Sequence, residues 1–150
     1  MSTPFPERAQ RQGSFRLPLA PEVAFDLFTA EGEREWVDGW EPVILSPCGA
    51  TAPGAIFLTD HGGEETIWTV IEADRVNGRL KYSRVSPGRR AGTVTVRLRE
   101  DAEGSIVDVA YDITALGPQG EQAVKGMDEA GFAAMLEEWE RLIRGALKGP

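Results

Sequence analysis

Apolar residues recur along this chain with two different periods, and the changes of period divide it into elements. Phe15, Leu17 and Leu19 alternate with neighbours such as Arg16, which predicts a half-buried strand over 14–19. A helix is expected over 21–29. Pro21 suits a first helical position, where its missing N–H would be unpaired anyway, Glu22 complements the positive end of the dipole, and Phe25 and Phe28 supply an apolar stripe. Helix formers over 31–37 predict a second short helix, stopped by Asp38-Gly39.

The middle of the chain runs at period 2. Stretches rich in β-formers at 55–61, 65–73, 79–85, 92–100 and 105–115 are separated by Gly62-Gly63, Asn77-Gly78, Pro87-Gly88 and Glu103-Gly104, and a weaker sixth stretch covers 41–46. Connections this short make neighbouring strands antiparallel. Near the end, Phe132, Met135, Leu136, Trp139, Ile143 and Ala146 fall at offsets 0, 3, 4, 7, 11 and 14, with Glu137, Glu138, Arg141 and Arg144 on other faces. This is an amphipathic helix of about five turns starting near Asp128. Gly126 and Gly131 each weaken a helix by about 1 kcal/mol relative to Ala, so a shorter helical piece over 118–125 is expected to stand apart from it. The order is an α+β pattern of strand, two short helices, antiparallel meander and long C-terminal helix.

Turn arithmetic then assigns faces. A two-residue Gly62-Gly63 turn pairs His61 with Glu64, Thr59 with Thr66 and Phe57 with Trp68. Placing Glu72 opposite Leu80 sets Val70 against Tyr82 and Trp68 against Arg84. Placing Arg84 opposite Val94, and Leu98 opposite Val107, brings Val94 against Tyr111. One row thus contains Phe57, Trp68, Arg84, Val94 and Tyr111, and the other face carries Thr93, Thr95, Arg97, Asp108, Ala110 and Asp112, with Arg97 across from Asp108. The aromatic face is expected to meet the long helix. Arg84 is the anomaly on it, since an unpaired buried guanidinium costs several kcal/mol.

Composition narrows the class without naming a function. The 150 residues hold 24 Asp plus Glu against 16 Lys plus Arg, a formal charge of −8, with one His and one Cys. Neither a disulfide nor a tetrahedral Cys/His zinc site is available, which leaves an all-carboxylate site as the one open metal geometry, and no metal or other cofactor is expected. No apolar run approaches the ~20 residues of a membrane span, and the start of the chain has no signal-peptide core, so a cytoplasmic protein without membrane insertion is expected. The net charge argues against nucleic acid as a partner. The stretch 75–99 has eight basic residues and no acidic one, yet Tyr82 is its only aromatic, which is not the interleaving of a nucleic-acid surface. Residues 1–12, with Pro4 and Pro6 and little apolar periodicity, read as a flexible arm before a single domain over 13–150.

The strand and helix over 15–28, the segment Pro53-Gly54-Ala55-Ile56-Phe57, the strand Thr66-Ile67-Trp68-Thr69-Val70 and Glu138-Trp139 in the last helix together resemble the START-like superfamily, also called SRPBCC, which includes polyketide cyclases and the major birch-pollen allergen. The resemblance covers nearly the whole domain. It implies a helix-grip fold, in which a curved antiparallel sheet of six or seven strands wraps around the long C-terminal helix and encloses a cavity. Members transport lipids, bind hormones or cyclise polyketides, so the fold alone does not choose an activity.

Three functional readings follow. In the first, the cavity binds a hydrophobic small molecule with an acidic or polar head group. Its walls are Phe57, Trp68, Val70, Tyr82, Val96, Val109, Tyr111, Phe132, Met135 and Trp139; Trp40 and Trp36 stand at the mouth, and Arg84, backed by Trp68, anchors the acid. The competing reading of Arg84 is a structural ion pair with Glu64, Glu72 or an acid of the last helix. In the second, a cyclase- or dehydratase-like enzyme uses the same cavity, with His61, Tyr82 or Arg84 polarising a carbonyl or moving a proton. His61 is the one side chain that ordinarily titrates near neutrality, although a turn position more often means a solvated ring. In the third, the interior is filled, no cavity exceeds about 300 Å³, and the outer face with Ile67 and Ile71 pairs with another subunit as a homodimer. Cys48 has no basic neighbour to activate it and reads as an inert thiol. Glu64-Glu65 and Glu137-Glu138 read as solvated acids.

Overall fold

Alternation of apolar residues builds one seven-stranded antiparallel sheet. A computed structural model describes residues 5–47 and 49–149, so the reading of Cys48 lies outside the described residues. The strands are β1 (Arg8–Leu17), β2 (Val43–Ile44), β3 (Ile56–His61), β4 (Glu64–Asp74), β5 (Arg79–Ser86), β6 (Arg90–Asp101) and β7 (Gly104–Ala115), in the spatial order β1-β7-β6-β5-β4-β3-β2. Between β1 and β2 lie α1 (Pro21–Ala24) and two 3-10 turns, Phe25–Phe28 and Gly32–Glu35. After β7 come α2 (Pro118–Gly126) and the long α3 (Glu129–Leu147).

Side chains of one sheet face, among them Phe15, Leu17, Phe57, Val70, Leu80, Val96, Val107, Val109 and Ile113, are buried with Phe132, Leu136 and Ile143 of α3. The start of α3 is fixed by Asp128, whose carboxylate accepts the Gly131 N–H at 2.7 Å, an N-cap that satisfies one of the helix's free donors. Helix α3 lies along β1 because Gly13 presents no side chain there: a Cβ would come 2.7 Å from Leu136 Cδ1. Phe28 joins the two ends of the core, its ring 6.3 Å from Phe15, 6.0 Å from Trp36 and 6.4 Å from Trp139.

The structure departs from the sequence expectations in several places, among them the helix expected over 21–29, which is α only for Pro21–Ala24 and 3-10 for Phe25–Phe28. Strand β1 starts at Arg8, so residues 8–12 are not arm: their backbone pairs with β7, and Arg8 chelates Asp112 through two hydrogen bonds of 2.9 and 2.8 Å. The helix expected over 31–37 is one 3-10 turn, held by Thr29, whose hydroxyl accepts the Gly32 N–H; a Cβ on Gly32 would meet the Asp26 carbonyl at 1.6 Å. A β-bulge between Val70 and Glu72 puts Glu72 opposite Lys81 and Ala73 opposite Leu80, not Glu72 opposite Leu80. The turn after β5 is tighter than expected, so Arg84 faces Gly92 and Tyr82 faces Val94. Arg97 does lie across from Asp108, but Arg99 and Ser14 take that carboxylate instead, at 2.6 Å each. The bulge turns Glu72 to the outer face and puts Ala73 on the inner one opposite Leu80, whereas the two-residue change between β5 and β6 leaves every face as expected.

Candidate functional site

Arg84 projects from the buried side of β5, where Leu80, Tyr82 and Ser86 share its parity and are all buried. It is 7% exposed, and its guanidinium carbon lies 5.2 Å from the centroid of the Trp68 ring, a cation–π arrangement. Nη2 donates to Ser86 Oγ at 3.2 Å and reaches Thr66 Oγ1 at 3.5 Å. Glu64 Oε1 is 3.8 Å away, too far for a hydrogen bond. Nε, fully buried, has no acceptor. Burial, and then the nearby Arg90 charge, pull the Arg84 pKa down, but a guanidinium stays charged.

Glu64 is committed elsewhere. Arg90 clasps both its oxygens, at 2.9 and 2.7 Å. Burial alone would raise the Glu64 carboxyl, but the Arg90 hydrogen bond and charge, helped by Arg84 and Ser86, hold it below its ordinary value. Two guanidiniums therefore share one carboxylate. Two other cations of the basic stretch 75–99 are also paired: Arg75 bonds Asp26 at 2.6 Å, and Arg99 bonds Asp108.

Around Arg84 lies a cavity of about 220 Å³ lined by Glu33, Trp36, Val37, Trp40, Thr59, His61, Glu64, Thr66, Trp68, Arg90, Tyr111 and Trp139 as well as Arg84 itself. Tyr111 projects into it from β7, with its ring 5.5 Å from Phe132 and 6.3 Å from Trp139. Burial pushes the Tyr111 phenol up to about 12, against a smaller opposing pull from Arg84. Glu33 enters from the second 3-10 turn. Burial drives its carboxyl well above the ordinary carboxylate range, and no hydrogen bond among the described residues compensates it.

Of the expected site residues, the cavity gathers Trp40, Trp68, Arg84, Tyr111, Trp139 and, at an exposed position on the rim, His61. Trp36 lines it too, while its indole N–H is spent on the Leu27 carbonyl at 2.7 Å. Phe57 and Tyr82 stand behind the wall. Phe57 stacks on Trp68 at 5.8 Å with an interplanar angle of 5°, and the Tyr82 hydroxyl donates to the Phe28 carbonyl at 2.7 Å, with burial raising its pKa. Val70, Val96 and Val109 are core residues away from the lining. Phe132 lines a different groove, an open one of about 470 Å³ between β1 and α3, and Met135 packs half-buried against the core. Glu33 was not anticipated. Glu33 shares a helical face with Trp36 and Val37 at i, i+3 and i+4, which is the one signal that pointed inward. Glu64, read as solvated, is ion-paired. No group of residues suited to a metal ion occurs among the described residues.

The chain matches no protein-family model and no curated protein sequence. Solved structures do match it. Ginseng (Panax ginseng) major latex-like protein 151 is 11% identical with a TM-score of 0.67, over 93% of this chain and 97% of that one. Norcoclaurine synthase from Thalictrum flavum is 13% identical with a TM-score of 0.63, over 91% and 86% of the two chains. A protein from the dynemicin biosynthetic locus is 19% identical with a TM-score of 0.60, over 92% of this chain and 47% of that one. This chain has the helix-grip fold. Sheet, short helices after β1 and C-terminal α3 are all in their helix-grip places, and at these identities the likeness establishes fold alone. Trp40, Phe57, Trp68 and Tyr82 form one contiguous ring cluster inside the fold, with centroids 5.8–6.2 Å apart. No helix among the described residues is long and apolar enough to cross a membrane.

Proposed function

We propose that the cavity binds a compact apolar molecule with one acidic head group, and that Arg84 holds the acid. The observation that supports this is the buried guanidinium with a free Nε beside an aromatic wall. An ion pair alone accounts for it poorly, because Glu64 already gives both oxygens to Arg90. A carboxylate entering the cavity would give the under-bonded guanidinium an acceptor on its cavity side and gain from the low dielectric around it. The cavity's 220 Å³ is below the roughly 300–1,000 Å³ of ordinary ligand sites. A single-ring acid suits that space better than a lipid. The lone cysteine and absence of disulfides favour the cytoplasm as the place of action.

Native mass spectrometry of the purified protein, followed by organic extraction, tests the reading directly. A retained small acid is expected, absent from Arg84→Met. Equal retention by both proteins, or retention only of neutral molecules, overturns it.

The small cavity also favours a second reading, the homodimeric interaction module. On the outer face, Val43 (57% exposed), Ile56 (37%), Ile67 (39%) and Ile71 (46%) leave apolar surface uncovered. Sedimentation velocity is expected to show a concentration-dependent dimer that Ile67→Lys dissociates; a monomer at all concentrations removes this alternative.

A further inference from the structure

The charges around the cavity do not balance unless Glu33 is counted. Arg84 and Arg90 contribute two positive charges and Glu64, held ionised by them, one negative. With Glu33 neutral the cavity carries one net positive charge and complements a monoanion. With Glu33 ionised it is already neutral, and an arriving anion meets a carboxylate with no cation of its own. Glu33 is placed to matter: it lines the same cavity as Arg84, and no hydrogen bond from a described residue stabilises its charged form.

We propose that the cavity is a proton-coupled anion site, in which a monoanionic ring acid on Arg84 is accepted together with a proton on Glu33. This rests on the binding role of Arg84 proposed above and adds to it the ligand's charge and the group that sets it. Monoacids are selected over diacids, since a second negative charge has no partner left. The neutral Glu33 O–H, free of protein acceptors, is also available to donate to the bound molecule.

The other groups facing the cavity are accounted for. Glu64 is ionised by its arginines throughout the neutral range, Tyr111 is pushed to about 12 and Tyr82 upward as well, and both arginines remain charged. His61 on the rim is the one remaining titratable group, and its protonation would favour an anion in the same direction, so it must be separated by mutation.

Benzoate is a suitable probe, being a single ring with one charge, and benzamide is its neutral counterpart. Calorimetric titrations from about pH 6 to about pH 9 should show benzoate affinity falling as pH rises, approaching tenfold per unit once Glu33 has ionised, as coupling to one proton requires. Benzamide affinity should not fall in this way. Glu33→Gln, a permanently neutral isostere, should bind benzoate with a flat profile, whereas His61→Gln should keep the slope. A flat profile in the natural protein, or a slope that survives in Glu33→Gln, overturns the role of Glu33 while leaving Arg84 intact. Failure of benzoate to bind at any pH, or equal binding by Arg84→Met, removes the Arg84 reading itself. A ligand-free check is the carbon chemical shift of the Glu33 carboxyl through a pH titration, assigned with Glu33→Gln. An inflection in the ordinary carboxylate range overturns the inference whatever probe is used.

Discussion

At the scale of single residues, the two anomalous charges, Arg84 and Glu33, behave oppositely toward stability. Replacing Arg84 by Met keeps the apolar stem, removes a buried charge with an unsatisfied Nε, and leaves Glu64 still paired to Arg90. Urea denaturation is therefore expected to show little loss, within about 1 kcal/mol, or a gain. Glu64→Gln strands both guanidiniums and is expected to cost about 2 kcal/mol, less than for a fully buried pair because Glu64 and Arg90 keep some solvent contact. The Glu64 pKa is lower folded than unfolded, so its contribution is complete above the unfolded value near ~4.3 and disappears as pH falls through the lower folded value. Below about pH 4 the natural protein should lose stability more steeply than Glu64→Gln. Glu33 has the opposite sign. Its folded pKa is raised, so the folded protein binds a proton that the unfolded chain releases, and stability declines as pH climbs from the unfolded value toward the folded one. Glu33→Gln should be more stable than the natural protein at pH 7 and no more stable near pH 4, as read from melting temperatures at the two pH values. The inward direction of Arg84 was legible in the sequence because strand parity is robust. Glu33 was hidden because a single 3-10 turn has too few residues to establish a period, and three acids crowd the segment 31–35.

Among the elements, turns and hairpins carried most of the legible information. Both glycines of Gly62-Gly63 have positive φ, +60° and +86°, the conformation a tight hairpin turn demands, and the β3–β4 register follows from it residue for residue. The bulge at Ile71 left no mark in the sequence, because a strand that gains one residue without Gly or Pro reads as an ordinary strand. The β5–β6 pairing differs by two residues because the turn length around Pro87-Gly88 is not set by composition alone; an even error preserves the face, which is why Arg84 still points into the core. Opposite Arg84 stands Gly92, where a Cβ would lie 1.8 Å from the Asp112 carbonyl oxygen. That obstacle is backbone and cannot rotate away. At Gly13 the obstacle is instead the end of the Leu136 side chain. Gly92→Ala should thus destabilise the fold by more than about 3 kcal/mol, as overpacking against a fixed neighbour does, while Gly13→Ala should cost roughly 1 kcal/mol. Comparable urea midpoints for the two variants would contradict this distinction between a backbone and a side-chain obstacle.

For the whole molecule, the governing quantity is the volume that the rings leave empty. A sheet that curves around a helix can enclose a large chamber, and here the rings of Trp36, Trp40, Trp68, Tyr111 and Trp139 bound a cavity of about 220 Å³. Trp40 is the ring best placed to change that: it is half-buried, lines the cavity, and packs edge-on against Phe57 at 6.2 Å and Trp68 at 5.9 Å. Its indole N–H donates to the Ala30 carbonyl at 2.8 Å, tying the loop after the second 3-10 turn to the core. Trp40→Ala should cost about 3 kcal/mol, because the stacked Phe57–Trp68 pair has limited freedom to collapse into the gap. It should also join the vacated space to the existing cavity and admit longer molecules. Dodecanoate, whose acid can still meet Arg84 while its chain needs room, is then expected to bind the variant at least tenfold more tightly than the natural protein, with benzoate affinity changing less. If the natural protein already binds dodecanoate as well as benzoate, ring packing does not limit the ligand, and compactness cannot be what the interior selects.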